Sequence, residues 1–456
     1  MTDVASGVES FGYKQELKRS LSLFDLLVYG LVFIVPGAPV AVFGIVFNAS
    51  HGMVPLVYAI GLVAMVFTAL SYMAMSKAIP VAGSVYAYAA HALGPAAGFF
   101  AGWAILLDYL LLPTLNYVAS AIAVHAAFPF LPAWTVVVAF LVFATVVNYF
   151  GIETTAKTNV YLLVFQLVIL GIFAAVGVWA LVHGVAGAHL STLPLYNPKE
   201  ASFGLLFGAL SLAVLSFLGF DAISTLSEES RGGSHAIARA TMASLCVSAV
   251  LFVAQTWLAS LFVLGRTGFA PGDPTNAAFY DIAQAIGGYW LKFLLTVPVA
   301  AMAGVAGALT AQAATARLLF SMARDGKLPR VLAHVNPHRR VPDRAIFAVA
   351  AVTLVLGVFL VDKLELLTSM VSFGALVGFL LLHVSVMAYF LGRKQSRDWL
   401  RHLVLPAIGL AIVATVLVNA EANAKIAGVL WMIGGLVLFV VLRLLGRSTV
   451  LPVDQV

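Results

Sequence analysis

Long apolar stretches, separated by short polar or Gly/Pro-rich connections, run along almost the whole chain. Each has about 20 residues or more, the length of helix that crosses a hydrocarbon core of about 30 Å. They fall near 22–48, 53–76, 95–127, 133–150, 159–183, 203–229, 237–263, 287–322, 343–361, 366–391, 402–419 and 425–445. The pattern predicts an all-α integral membrane protein with twelve transmembrane helices.

Composition agrees with this pattern and argues against disulfide, metal and nucleotide chemistry. Of the 456 residues, 62% are hydrophobic and 10% are charged, whereas about a quarter are charged in soluble proteins. A single cysteine, Cys246, allows neither a disulfide framework nor a cysteine metal site. No HExxH spacing and no phosphate-binding Walker loop occur. We therefore expect no metal and no cofactor, and ion gradients remain as the energy source.

The basic residues predict the orientation of the chain. With both termini in the cytoplasm, 20 of the 25 Lys and Arg lie inside, and only Lys199, Arg266, Lys292, Lys363 and Lys425 lie outside. This distribution between helices explains the net charge of +6 without nucleic acid. We predict a cytoplasmic tail over 1–20, a core over 21–391 (helices 1–5 at about 21–185, helices 6–10 at about 200–391), and helices 11–12 with a cytoplasmic tail over 392–456.

Two predicted helices contain residues that interrupt a helix. The first carries Pro36 and Pro39, and the sixth carries Gly219 followed by Asp221. These positions correspond in two five-helix halves of opposite orientation, a pattern typical of inverted-repeat transporters with discontinuous helices. The alternative is two ordinary kinks, since Pro and Gly are common in membrane helices.

An unwound stretch inside a membrane leaves backbone groups unpaired unless a ligand or cavity water satisfies them. Half-helix amino ends favour a carboxylate and carboxyl ends favour a cation, so the breaks suit an amine or a zwitterion. The candidate substrate contacts at the breaks are Val35, Pro36, Gly37, Ala38, Phe217, Gly219, Phe220 and Asp221. For the two phenylalanines, covering a cation and packing against lipid are equally open.

Acidic residues inside a membrane are costly and mark functional sites by default. Asp108 in the third helix and Asp221 in the sixth are therefore candidates for binding substrate and carrying a proton. The alternatives are a carboxyl bonded to a neighbouring helix for Asp108 and a helix cap for Asp221. Glu228 and Glu229 close the sixth helix, and we expect an inner gate in which they pair with Arg231 or Arg317.

Two segments resemble the amino acid, polyamine and organocation transporter family. They run from Gly219 to Glu229 (GFDAISTLSEE) and from Arg317 to Pro329 (RLLFSMARDGKLP). The chain is most similar in appearance to bacterial putrescine importers, in the stretches 102–116, 216–221 and 408–431. Cationic amino acid transporters share much of the sixth-helix motif.

The resemblance implies a leucine-transporter-type fold, with a 5+5 inverted repeat, broken helices 1 and 6, and two additional C-terminal helices. It also implies alternating access around a pocket lined by the third helix, which adds Asn116 to the candidates. The chain departs from the putrescine importers at Val42, where they carry an acid. Gln166 and Thr310 stand at ion-site positions of relatives, and their side chains favour a proton over sodium as coupling ion.

These observations predict a secondary transporter that imports a small amine-bearing solute, a putrescine-like amine or an amino acid, by proton coupling across a bacterial-type cytoplasmic membrane. An amino acid permease or an exchanger on the same fold is the alternative. A channel would need a continuous polar pore, and an enzyme would need paired catalytic residues, neither of which the sequence contains. The expected partners are the solute, the coupling ion and lipid. The sequence predicts no oligomeric state.

Overall fold

The computed structural model describes residues 8–128, 130–360, 364–420 and 422–444, and within these ranges the chain is helical without strands. The predicted all-α class is confirmed. The helices are α1 (Leu23–Ile34), α2 (Ala38–Ser50), α3 (Val54–Ala78), α4 (Val85–Leu93), α5 (Pro95–Ala127), α6 (Ala133–Phe150), α7 (Ile152–Val182), α8 (Phe203–Ala213), α9 (Gly233–Ser260), α10 (Asp273–Asn276), α11 (Ala278–Gly287), α12 (Tyr289–Met302), α13 (Ala308–Arg324), α14 (Asp343–Phe359), α15 (Leu364–Met387), α16 (Leu405–Val418) and α17 (Ala422–Leu444).

Eight helices in the described part are long and apolar enough to cross a membrane, and the number rises to ten when two bent pairs each count as one span. The bent pairs are α1 with α2, at 44°, and α8 with the following 3-10 turns, at 48°. They occupy the first and sixth predicted spans. The remaining predicted spans, 287–322 and 343–361, fall on the α12–α13 pair and on α14, and as membrane spans they stay predictions.

Most boundaries agree with the apolar pattern, and two features differ from it. The fifth span begins at Ile152 and not near 159, because Gly151, at φ 119°, turns the chain directly from α6 into α7. Helix α4 was not predicted, since nine residues are too few to cross a membrane. Its residues are nevertheless buried, apart from Leu93 at its end.

The two broken helices lie at the centre of the helix packing. Helix α1 contacts α7, α9 and the 3-10 segment Phe220–Leu226, while α3 packs along α9 and α5 packs against α13 and α15. Helix α17 is mostly exposed and apolar, as expected of a helix facing lipid. It is fastened to α5 by Trp103 and Trp431, whose rings stack at 4.6 Å while each indole N–H donates to the other residue's carbonyl.

Gly219 is the position at which the two breaks touch. Its φ of 119° lies in a region that side chains rarely adopt. A Cβ atom there would also lie 2.2 Å from the ring of Phe33, in the last turn of α1, and 3.1 Å from the carbonyl carbon of Phe33. The close approach of the two broken helices therefore requires glycine.

We predict that Gly219→Ala destabilises the protein by about 2 kcal/mol or more, because backbone strain and overpacking add at one position. Thermal unfolding of the purified protein measures the effect. The matched control is Gly171→Ala within α7, where a new Cβ meets no atom within 4 Å and helix propensity favours alanine. Equal melting temperatures for the two variants would contradict the close packing of Gly219 against Phe33.

Candidate functional site

The first break is a turn of three residues between α1 and α2. Val35 adopts φ 60° and ψ 94°, an unusual conformation for a β-branched residue. Its amide donates to the Leu31 carbonyl at 3.1 Å, and the Ala38 amide donates to the Val35 carbonyl at 2.8 Å. Pro36 has no amide N–H. Among the candidate backbone amides of this turn, only that of Gly37 has no partner within the described residues, so the turn offers a single free donor.

The second break separates the 3-10 turn Val214–Phe217 from the 3-10 segment Phe220–Leu226. Ser216 anchors the first part, because its hydroxyl lies 3.0 Å from the Tyr58 hydroxyl on α3. Gly219 then turns the chain against α1, as described above. The break thus contacts both α3 and the end of α1, and no lipid reaches it.

Asp221 is fully buried immediately after this break. Its Oδ2 accepts hydrogen bonds from the Tyr109 hydroxyl at 2.5 Å and the Tyr72 hydroxyl at 3.4 Å. Its Oδ1 accepts one from the Gly219 amide at 3.2 Å. Both oxygens therefore have protein donors, and the carboxyl joins α3, α5 and the broken helix. The 3-10 segment itself begins at Gly219 without a side-chain capping bond, so a capping role for Asp221 stays a prediction.

Asp108 is equally buried, at 1% exposure, but differs in its partners. Its Oδ1 has no hydrogen-bond partner in the described part of the chain. Helix α15 lies against it, since a Cβ on Gly374 would be 2.8 Å from the Asp108 amide nitrogen. A buried polar atom without a partner is costly, and such an atom is available to a donor from outside the protein.

Asn116 lies two turns beyond Asp108 on α5, where three elements meet. A Cβ on Gly307 would approach the Asn116 Nδ2 to 2.7 Å and the Val35 Cγ2 to 3.2 Å. Gly307 ends the π-helical turn Ala303–Gly307 between α12 and α13, and such turns are frequent at functional sites. The structure thus brings the candidate Asn116 to the first break.

Phe217 and Phe220 are both fully buried within the protein. Of the two alternatives left open by the sequence, this burial disfavours packing against lipid, and covering a cation stays a prediction. The Phe217 ring lies 5.9 Å from that of Tyr58 and 5.2 Å from that of Phe252. The Phe220 ring lies 6.0 Å from that of Tyr72. The reason is the contact of the break with α3 and α9, which turns this helix inward.

The two ion-site candidates differ in their hydrogen bonding. The Thr310 hydroxyl donates within its own helix, to the carbonyls of Ala306 at 3.0 Å and Gly307 at 2.9 Å. The Thr310 carbonyl accepts from the Tyr29 hydroxyl at 2.7 Å. Gln166 is buried, and its Nε2 has no partner within the described residues.

Two buried ion pairs lie where the sixth helix ends. Arg317 on α13 forms a two-pronged pair with Glu229, and Arg324 binds Glu228 at 2.9 Å. Glu228 also accepts from the Ala82 amide at 3.1 Å. The sequence pointed to Arg317 but missed Arg324. The other suggested partner, Arg231, is exposed.

The segment before α1 packs over these ion pairs. The amides of Ser20 and Leu21 both donate to the Glu229 carbonyl at 3.0 Å, and Gln15 Nε2 donates to the Glu228 carbonyl at 2.9 Å. Leu17 is fully buried. This segment was predicted only as a polar tail, and its contacts make it part of the closed end of the protein.

Gln255 on α9 is a further polar residue that sequence reasoning did not single out. Its Nε2 donates to the Pro36 carbonyl at 2.8 Å, within the first break. Tyr72 and Tyr109 were likewise not identified as partners of Asp221. The sequence could have indicated Gln255, because it is an amide side chain within an apolar stretch. For the two tyrosines the sequence shows only that they lie in predicted membrane helices.

Two broken helices in an apolar medium, joined around buried carboxyl groups, define a multi-pass membrane transport protein. The family model for amino acid permeases matches residues 25–446. The chain belongs to this family, which confirms the resemblance found in the sequence. It is a permease and not an enzyme.

Several curated relatives match over most of the chain. The low-affinity putrescine importer PlaP of Escherichia coli (strain K12) is 32% identical over 92% of this chain and 93% of its own. The branched-chain amino acid permease BcaP of Bacillus subtilis (strain 168) is 25% identical over 93% of both chains. The methylthioribose transporter of the same organism is 24% identical over 92% of this chain and 90% of its own.

Proposed function

We propose that the chain is a secondary transporter that imports a small amine-bearing solute by proton-coupled alternating access. The observation that carries this proposal is the unpartnered, buried carboxyl oxygen of Asp108. A cationic amine or a proton is the natural partner for such an oxygen, because either one removes the cost of an isolated buried charge. A relative that imports putrescine and another that carries branched-chain amino acids support this class of solute.

The two buried acids have different roles in this proposal. Asp221 already has three protein donors, so its task is to hold the break in place. Asp108 is left to bind the amine or to carry the proton. Tyr109, the chain neighbour of Asp108, donates to Asp221. A change in protonation or ligand binding at one acid can therefore alter the position of the other.

We expect Asp108→Asn to fold and to exchange solute, but to lose proton-driven accumulation, because an amide keeps the volume and cannot carry the proton. Asp221→Asn should lower the melting temperature by several degrees, since its NH₂ group would face a donor. Uptake into proteoliposomes with and without a pH gradient, together with thermal unfolding, measures both effects. Asp281→Asn, at a half-exposed carboxylate, is the control. If uptake by Asp108→Asn still depends fully on the pH gradient, Asp108 is not the proton carrier.

Contacts at both ends of the protein support alternating access. At one end lie the ion pairs of Glu228 and Glu229. At the other, Asn48 at the end of α2 bonds the Phe269 backbone, accepting at 2.7 Å and donating at 3.1 Å, and its Nδ2 lies 3.1 Å from the Thr275 hydroxyl. Closure at both ends corresponds to an occluded state, and transport would open one set of contacts at a time.

The proposed topology has twelve spans, with helices 1–5 and 6–10 as inverted repeats, two further helices, and both termini in the cytoplasm of a bacterial-type membrane. The distribution of Lys and Arg supports it. It places the ion pairs and the tail segment on the cytoplasmic side. The tail over 1–20, the core over 21–391 and the end over 392–456 follow as domains.

A cysteine placed at exposed Lys199 in a Cys246→Ser background should react with a membrane-impermeant maleimide added to intact cells. A cysteine at exposed Arg330 should react only after permeabilisation, because it lies beyond the opposite end of the membrane. A shift in gel mobility after labelling reports whether the cysteine at each position has reacted. The reverse pattern would invert the topology.

The solute is expected to be a putrescine-like amine, with an amino acid as the close alternative. The unpartnered Oδ1 of Asp108 and the amide of Gly37, which has no partner in the described part of the chain, would also suit a zwitterion. An exchanger of such solutes differs in needing no ion gradient. Uptake of labelled putrescine should be saturable, and excess leucine should leave it unchanged. Saturable uptake of labelled leucine without uptake of labelled putrescine would establish the amino acid permease.

A further inference from the structure

Gln255 has a fixed orientation that leaves half of its amide unused. The Pro36 carbonyl can only accept a hydrogen bond, so the NH₂ group of Gln255 must face it, at 2.8 Å. The Oε1 atom is thereby turned away from Pro36. It is buried and has no hydrogen-bond partner in the described part of the chain. Gln255 therefore presents a bare acceptor next to the first break.

This acceptor ends a polar stripe of α9 that follows α1. At its start, a Cβ on Gly30 would lie 2.9 Å from Ser244, which fixes the contact of the two helices. Ser248, one turn further on, is buried with its Oγ unpartnered among the described residues. Gln255 then reaches the break itself. Helix α9 thus follows α1 from Gly30 to the point where it unwinds, and it carries two unpartnered polar atoms, Ser248 Oγ and Gln255 Oε1.

A short series of contacts connects this acceptor to Asp108. Pro36, which Gln255 holds, comes three residues after Phe33. The Phe33 ring packs against Gly219, and its centroid lies 6.2 Å from that of Tyr109. Tyr109 is the chain neighbour of Asp108. Gln255 thus binds the first break from α9. Asp108 lies on the α5 side, next in the chain to Tyr109, which contacts the second break.

The chemistry of the two oxygens differs. Asp108 offers a carboxyl, whereas Gln255 offers a neutral amide oxygen, which is less costly to leave empty. A diamine brings two ammonium groups, and the single unpartnered oxygen of Asp108 can accept from only one of them. An amide oxygen can accept from an ammonium group without adding a buried charge.

We propose that Gln255 determines specificity, its Oε1 accepting a hydrogen bond from the second ammonium group of a diamine whose first ammonium group binds Asp108. This inference rests on the proposed function. It predicts that the residue distinguishes putrescine from n-butylamine, which has the same carbon chain and a single ammonium group. A merely structural role in holding Pro36 would affect both ligands equally.

The test is calorimetric titration of the purified full-length protein with putrescine and with n-butylamine. In Gln255→Leu the affinity for putrescine should fall about tenfold relative to n-butylamine, the size expected for one hydrogen bond to a charged group. Gln255→Glu keeps an acceptor and should retain or increase the preference for putrescine. The matched control is Thr256→Val, since the Thr256 hydroxyl donates within its own helix, to the Phe252 carbonyl at 2.7 Å.

The outcomes separate this inference from the proposed function. If wild-type protein binds putrescine and Gln255→Leu leaves the ratio of the two affinities unchanged, Gln255 has no role in specificity. An equal loss of putrescine preference in Gln255→Leu and Gln255→Glu also overturns the inference, because Gln255→Glu keeps an acceptor and should keep the preference. If wild-type protein binds neither amine, the proposed function fails, and the inference fails with it.

Discussion

The carboxyl group of Asp221 fixes the broken sixth helix against α3 and α5. A helix that unwinds in an apolar medium loses backbone hydrogen bonds that water cannot replace, so the protein must supply partners. One oxygen of Asp221 accepts a hydrogen bond from the Gly219 amide, and the other accepts from the tyrosines of α3 and α5. Gly219 can then lie against Phe33. The second break is thus held by the Asp221 carboxyl, and its approach to the first requires glycine at 219.

The two buried acids differ in their hydrogen-bond partners, and the roles proposed for them follow from that difference. An acid surrounded by donors is stabilised as an acceptor and gains little from a ligand, because its oxygens are already occupied. An acid with an empty oxygen is held at a cost that a cationic ligand or a proton would remove. Asp221 is of the first kind and Asp108 of the second. Burial alone, which is the same for both, does not separate them.

The sequence predicted what depends on local pattern and membrane thickness, such as helix positions and both breaks. Pro36 interrupts a helix wherever it stands, and an acid after Gly219 is visible in the chain. It also pointed to Arg317 as a partner of Glu229, since the topology places both at one membrane face. It did not find the bonds of Tyr72 and Tyr109, because their partner lies more than a hundred positions away and depends on how three helices pack.

The contacts of the tail before α1 were likewise not predicted from the sequence. They constrain how the end of the protein at Glu228 and Glu229 can open. Glu228 and Glu229 each use their side chain to bind an arginine of α13 and their backbone carbonyl to bind the tail. A movement that separates the end of the sixth helix from both the tail and α13 must therefore break two kinds of bond at the same residues. The tail also contacts one of the ion pairs directly, since the Arg324 guanidinium lies 4.1 Å from the centre of the Tyr13 ring. Opening of this end would therefore have to move the tail as well as α13.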